Sequence, residues 1–150
     1  MFGIQPERRF IMKYGNFIRT PLAELIGARH FDRINPDITN ERFPIPNRMW
    51  NNYKEIFFEE DIPSKEAVER IQAEGYEPAN SHELLLWKGW NGKDAVVALG
   101  SVAKVGNNRF VLLLHGSGIR RHLFVRRLVG DLSAGYSFLA VCQQSLVLNP

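Results

Sequence analysis

Apolar and polar positions follow several different rhythms along this chain, and each rhythm predicts an element. RFIMKY at residues 9–14 alternates, with Phe10 and Met12 on one face, and predicts a short strand. Thr20-Pro21 supplies an N-cap type followed by a first-turn type, so LAELIG is expected as a short helix stopped by Gly27. Between His30 and Trp50, Pro36, Pro44 and Pro46 with several Asn and Asp break any period, predicting an irregular connection. Ile34, Ile38, Phe43, Ile45 and Trp50 are expected to pin it to a core. Ser64 is expected to cap a helix over SKEAVERIQAEG, with Ala67, Val68 and Ile71 on one side and Gly75 at the position past its end. Asn80 followed three residues later by Glu83 has the form of a capping box, with Leu84 to Trp87 as the apolar face before Gly89.

From Asp94 the pattern changes to short strands. Ala95 to Leu99 and Phe110 to Leu114 read as buried strands joined through a turn at Gly106-Asn107. Arg121 to Arg126 alternates, with Leu123 and Val125 on one face and His122, Phe124 and Arg126 on the other. Tyr136 to Val141 reads as the last strand. Helices early and strands late predict a single α+β domain over residues 1–150. The segment 9–14 and Phe138 to Val141 are expected to pair, because each would otherwise leave an open edge. No internal repeat of 20 to 50 residues is visible.

Composition excludes several classes. With 45% hydrophobic and 23% charged residues over 150 positions, the chain is long enough for one buried core and is neither low-complexity nor disordered. No apolar run exceeds five residues, against about 20 for a membrane span, so no membrane insertion is expected. MFGIQPERRF has no apolar stretch of a secretory signal, and the expected location is cytoplasmic or virion-associated. One cysteine, Cys142, makes no internal disulfide and no cysteine-based zinc site.

Charge and residue usage single out the last quarter. Residues 109–142 carry Arg109, Arg120, Arg121, Arg126 and Arg127 against Asp131, so all of the chain's +3 excess lies there. Residues 108–142 also contain no Lys, Glu, Gln, Trp or Met, although residues 1–107 contain 25 of them. At the upstream rate such a gap arises by chance roughly once in ten thousand. None of these five amino acids has a codon ending in a pyrimidine. A tract randomised as any-any-pyrimidine codons would look like this.

The motifs of chemistry are mostly absent. His115-Gly116-Ser117-Gly118 lacks the glycines that a nucleophile elbow places two residues either side of its serine, so a tight turn between strands is the expectation over a Ser117–His115 hydrolase. His30, His82, His115 and His122 have no metal-binding spacing, and no phosphate-cradling glycine loop occurs. Trp50, Trp87 and Trp90 beside helix ends and turns are expected as buried anchors. The cluster Arg120, Arg121, Arg126 and Arg127 reads either as a solvated strand edge or as a recognition surface interleaved with His122, Phe124 and Tyr136.

A series of short pieces then resembles the variable proteins of diversity-generating retroelements. They are Gly75-Tyr76-Glu77-Pro78-Ala79, Glu83-Leu84-Leu85, Val97-Ala98-Leu99-Gly100-Ser101, Arg109-x-Val111-x-x-Leu114-x-Gly116-Ser117-Gly118 and Phe138-Leu139-Ala140-Val141, within residues 75–142. The resemblance implies a C-type lectin fold, related to the formylglycine-generating enzyme fold, with two main helices and short, mostly antiparallel strands. In that family a reverse transcriptase copies a template with errors at adenines, so template Asn codons become any-any-pyrimidine codons. It implies a diversified tract at about 108–141 whose side chains bind a macromolecular ligand, expected to be a protein. Arg109, Val111, Leu114, Gly116, Ser117, Arg121, Leu123, Asp131 and Phe138 to Val141 match framework positions. Phe110, His115, Ile119, His122, Phe124, Arg126, Arg127, Val129, Gly130, Leu132, Ser133, Gly135 and Tyr136 fall in the gaps and are the expected ligand-binding residues. Leu112, Leu113 and Leu128 stay open between core and display. The chain has no Glu-Pro-Asn, Gln-Pro-Asp or Trp-Asn-Asp triplet, so calcium-dependent sugar binding is not implied. Its one cysteine cannot supply the cysteine pair of the related enzymes. The expectation is therefore a non-enzymatic binding protein without metal or cofactor, the alternative being a nucleic-acid-binding domain that uses the arginine cluster.

Overall fold

A computed structural model describes residues 20–143 of the chain. In chain order its elements are α1 (Leu22–Gly27), β1 (Arg33–Ile34), β2 (Asn52–Phe57), α2 (Ser64–Ala73), β3 (Glu77–Pro78), α3 (Ser81–Leu86), β4 (Ala95–Val105), β5 (Asn108–Gly116), β6 (Arg121–Arg127) and β7 (Tyr136–Cys142). The α+β expectation holds: among the described residues three helices accompany a seven-stranded, mostly antiparallel sheet, ordered β1-β6-β5-β4-β7-β2, with β3 also on β7. Only β1 with β6 and β4 with β7 run parallel.

The sheet is buried on both faces, which is why its central strands read as continuous apolar runs. On the first face, Val96 and Ala98 of β4, Leu112 and Leu114 of β5, Leu123 of β6 and Leu139 of β7 pack with Leu22 and Leu25 of α1 and Leu84 and Leu85 of α3. On the second, Val97, Val111, Leu113, Phe138 and Ala140 pack with Ala67 and Ile71 of α2 and with Ile62 and Leu132. Leu112 and Leu113 are therefore both core, one per face, and Leu128 is half-buried against the second cluster.

The helix boundaries shift by one residue from expectation. Pro21 and Pro63, not Thr20 and Ser64, are the entry residues of α1 and α2, and neither helix has a side-chain cap. The proline ring fixes φ near −62° and −64°, which already sets the extended entry. Past α2, Gly75 takes φ +87°, and the Tyr76 N–H bonds the Ile71 carbonyl, closing the helix as expected. At α3 the capping box forms in full between Asn80 and Glu83. Ile38 and Phe43 anchor the 30–50 connection and Trp50 packs against it, but Ile34 and Ile45 are exposed. They sit on an edge strand and in a proline-bounded loop, where no element covers them.

Strand β2 is absent from the predicted elements. NYKEIF carries two charges and buries only Ile56, so its apolar signal is weak; its partner β7 holds it by backbone pairing from Asn52↔Cys142 to Phe57↔Ser137. The expected pairing of residues 9–14 with the last strand lies outside the described residues. Both edges of β7 are taken up by described residues, with β2 on one side and β4 and β3 on the other. Gly100 marks a register break in β4 between Ala98 and Ala103. A Cβ there would stand 2.5 Å from the Pro78 carbonyl oxygen, and the Gly100 N–H bonds the Ala79 carbonyl at 2.8 Å. The missing side chain lets the segment before α3 lie directly on the sheet. Among the described residues no helix is long and apolar enough to cross a membrane.

Candidate ligand-binding surface

Strand register decides which residues of the C-terminal tract share a face. β5 and β6 are antiparallel with His115↔His122, Leu113↔Phe124 and Val111↔Arg126, so these six side chains lie on the second face. α2, Ile62 and Leu132 cover Val111 and Leu113. His115 lies beyond that cover and is exposed, while His122 and Phe124 are half-buried. Their rings pack together, with centroids 5.1 Å apart for His122 and Phe124, 6.2 Å for His115 and His122, and 6.4 Å for a stacked His115 and Phe124. β6 and β7 run parallel with β5 and β4 between them, so the connection 128–135 must return across the sheet. Leu132 bridges to Ile62 within it, and the Ala134 N–H donates to the Asp61 carboxylate at 2.9 Å. That return brings Tyr136 under the Arg126 guanidinium, 5.9 Å from the ring centroid. Arg126 donates to the carbonyls of Arg127 and Asp131, which holds its plane.

The result is a corner of three aromatic rings and one Arg–Tyr stack on an ordered sheet. His115, His122 and Phe124 form one group and Arg126 with Tyr136 another on the same face, with Ser133 and Gly135 in the segment leading to Tyr136. Ile119, 89% exposed, projects from the adjoining turn. Phe110 and Arg127 pair with each other on the first face at the far end of β5 and β6, and Val129 and Gly130 follow in the exposed turn there; the structure does not bring these four to the corner. Leu132 is a correction: it is 1% exposed and belongs to the second core, because the connection must bury one apolar anchor to cross the sheet. Arg33 was not anticipated. Its position opposite His122 follows from β1 pairing, a two-residue contact between distant segments that no local pattern announces.

His115-Gly116-Ser117-Gly118 forms the tight turn expected of it. Ser117 Oγ accepts from the Arg120 N–H at 3.1 Å, the Ser117 N–H donates to the Arg120 carbonyl, and Gly118 takes φ +93°. A Cβ on Gly116 would overlap the Gly92 carbonyl, so the turn is clamped against the start of β4. The arginine cluster, continuous in sequence, separates in space. Arg121 and Arg126 face opposite sides of the sheet and lie roughly 16 Å apart at about 3.3 Å per strand residue. Trp87 and Trp90 are buried as expected, and Trp50 is half-buried beneath the Arg48 guanidinium, 4.7 Å from its ring centroid. Comparison with protein families, curated proteins and solved structures finds no match to this chain.

Proposed function

We propose that this chain is a non-enzymatic recognition protein whose C-terminal tract is diversified by a retroelement and displayed on a C-type lectin-like scaffold. The observation that carries the reading is the coincidence of two patterns. The tract that lacks Lys, Glu, Gln, Trp and Met is the tract that builds β5, β6 and β7. Within it, buried Leu114 and Leu123 stand beside exposed His115 and half-buried His122 and Phe124. A scaffold of this kind tolerates exchange at open strand ends while the runs buried on both faces hold the fold. Rigid aromatic rings and an ordered guanidinium lose little entropy on binding, and their composition is that of protein–protein hot spots, so a protein is the partner class it fits. Arg121 and Arg126 stand on opposite faces of the sheet, which divides the arginine cluster and favours a protein partner over a single phosphate footprint.

The test is genomic. The codons for Ile119, Arg126, Arg127, Val129, Ser133 and Gly135 should end in pyrimidines, and a nearby repeat should match the tract except at adenines, beside a reverse-transcriptase gene. Purine-ended codons for several of these residues, or a locus without such a repeat, would sink the reading.

A further inference from the structure

On the first face, where β6 begins, a cavity of about 310 Å³ is lined by Ala28, Arg29, His30, Lys88 and Arg121. Three permanent cations from three separate segments converge there. Arg29 is fixed: one of its nitrogens donates to the carbonyls of Leu85 at 2.8 Å and Trp87 at 2.6 Å, closing the C-terminal end of α3. Arg121 is fixed differently. Its guanidinium lies over the Trp90 ring, 5.0 Å from the centroid, and that ring is itself pinned by an N–H bond to the Asp94 carbonyl at 2.8 Å. Stacking leaves the in-plane donors of Arg121 unused, since none of them bonds another described residue.

None of Arg29, Lys88 and Arg121 pairs with a carboxylate among the described residues. The Asp32 carboxylate, next to this site, is engaged by the backbone N–H of Arg121 at 2.8 Å. Burial lowers the pKa of Arg29, and Arg121 lowers it further, so the two guanidinium groups repel each other. Like charges held together by packing on Trp90 and by helix carbonyls, with no carboxylate bridging them and Asp32 beside them turned to the Arg121 backbone, are arranged for an anion to enter between them.

We propose that this cavity binds a phosphate-class oxyanion, held by the guanidinium fork of Arg121, the Arg29 nitrogens not spent on the α3 carbonyls and the Lys88 ammonium. One planar fork matches two oxygens of a tetrahedral dianion, and the other two cations add charge. The site suits a discrete ligand rather than a polyanion track, because Arg126 and Arg127 stand at the other end of β6. It is also separate from the aromatic corner, which lies on the opposite face, so each site can fail without the other.

The probes are inorganic phosphate and ribose 5-phosphate, titrated into the full chain by calorimetry and thermal melting at constant ionic strength against chloride. A saturable site is expected, with a rise in Tm beyond that of chloride. Arg121→Gln and Lys88→Gln should each weaken binding about tenfold, the loss of one charge-assisted contact, while Lys65→Gln, an exposed cation on α2, leaves it unchanged. Tighter binding of ribose 5-phosphate would assign the natural source to a phosphomonoester, and tighter binding of phosphate to the free ion. The proposal is overturned by a response no larger than that of chloride, or by equal affinity in both variants. Oligonucleotide binding that depends on Arg126 and Arg127, without a phosphate response, would overturn it too. Lys88 is exposed, so its variant tests the site even if Arg121→Gln folds poorly.

Discussion

The junction around Glu83 and the corner around His122 lie over opposite faces of one sheet, and they use polar side chains in opposite ways. Glu83 is fully buried, and its carboxylate accepts from Arg48 Nη2 at 2.7 Å and Nε at 3.1 Å, from the Trp50 N–H at 2.7 Å and from the Asn80 N–H at 2.9 Å. Tyr53 then donates to the Glu83 carbonyl, and burial together with the Glu83 charge pushes the Tyr53 phenol well above its ordinary value. Every acceptor in that junction is used. At the corner, His115, His122 and Phe124 meet one another through their ring faces and leave their outer sides open. A closed polar network fixes the chain in one conformation, while an open set of rings is available to a partner.

The largest effect should come from breaking the closed side. Glu83→Ala removes four accepted hydrogen bonds and strands Arg48, and should destabilise by on the order of 3 to 5 kcal/mol in denaturant titration. A loss under about 1 kcal/mol would mean that the junction is no more than a surface contact. Close behind, Leu123→Ala and Phe138→Ala should each cost about 2 to 5 kcal/mol, one per core cluster. Leu132→Ser should fall in the same range although it lies among the expected ligand-binding residues; a near-neutral value would return Leu132 to the displayed set.

A smaller effect concerns His82, buried beside Ser81 with 3.0 Å between Oγ and Nδ1. Burial lowers its pKa from the usual 6.5, against an opposing contribution from the Thr20 backbone. The unfolded chain therefore takes up the proton more readily than the folded one. Stability from this group is full above about pH 6.5 and declines as pH falls toward the depressed native value. The acid-side slope of the denaturation midpoint should flatten in His82→Gln, and an unchanged slope would assign it to other groups.

The smallest effects belong to the open side. His115→Ser, His122→Ser and Arg126→Ser should each stay within about 0.5 kcal/mol of the parent. Phe124→Ser should cost about 1 kcal/mol, since its ring is partly buried against the second core. If the histidine variants unfold as readily as Leu123→Ala, the corner is part of the core and the contrast collapses.

Local signals were strong where one short segment settles its own conformation. The Asn80–Glu83 capping box, the positive φ of Gly75 and Gly106, and the turn after His115 are all legible in the sequence, because each depends on two to five neighbouring residues. Strand β2 was not legible, since its polar residues are held by β7, some eighty positions away. The Arg48–Glu83 pair and the convergence of Arg29, Lys88 and Arg121 are hidden for the same reason: nothing local brings those segments together. Leu132 shows the limit most sharply, as codon class and polarity pattern place it among the displayed residues and only the route of 128–135 buries it.

By itself the sequence determined the kinds of element, the alternation of Leu123 against His122 and Phe124, and the restricted alphabet of residues 108–142. These are properties of single segments, set by backbone sterics and side-chain period. The tertiary structure alone decided that β5 and β6 pair with His115 beside His122, that Tyr136 returns beneath Arg126, and that Arg29, Lys88 and Arg121 meet at one cavity. Those facts depend on strand order and on how one chain crosses its own sheet. Both are fixed by the summed burial of two cores, not by any residue's immediate neighbours.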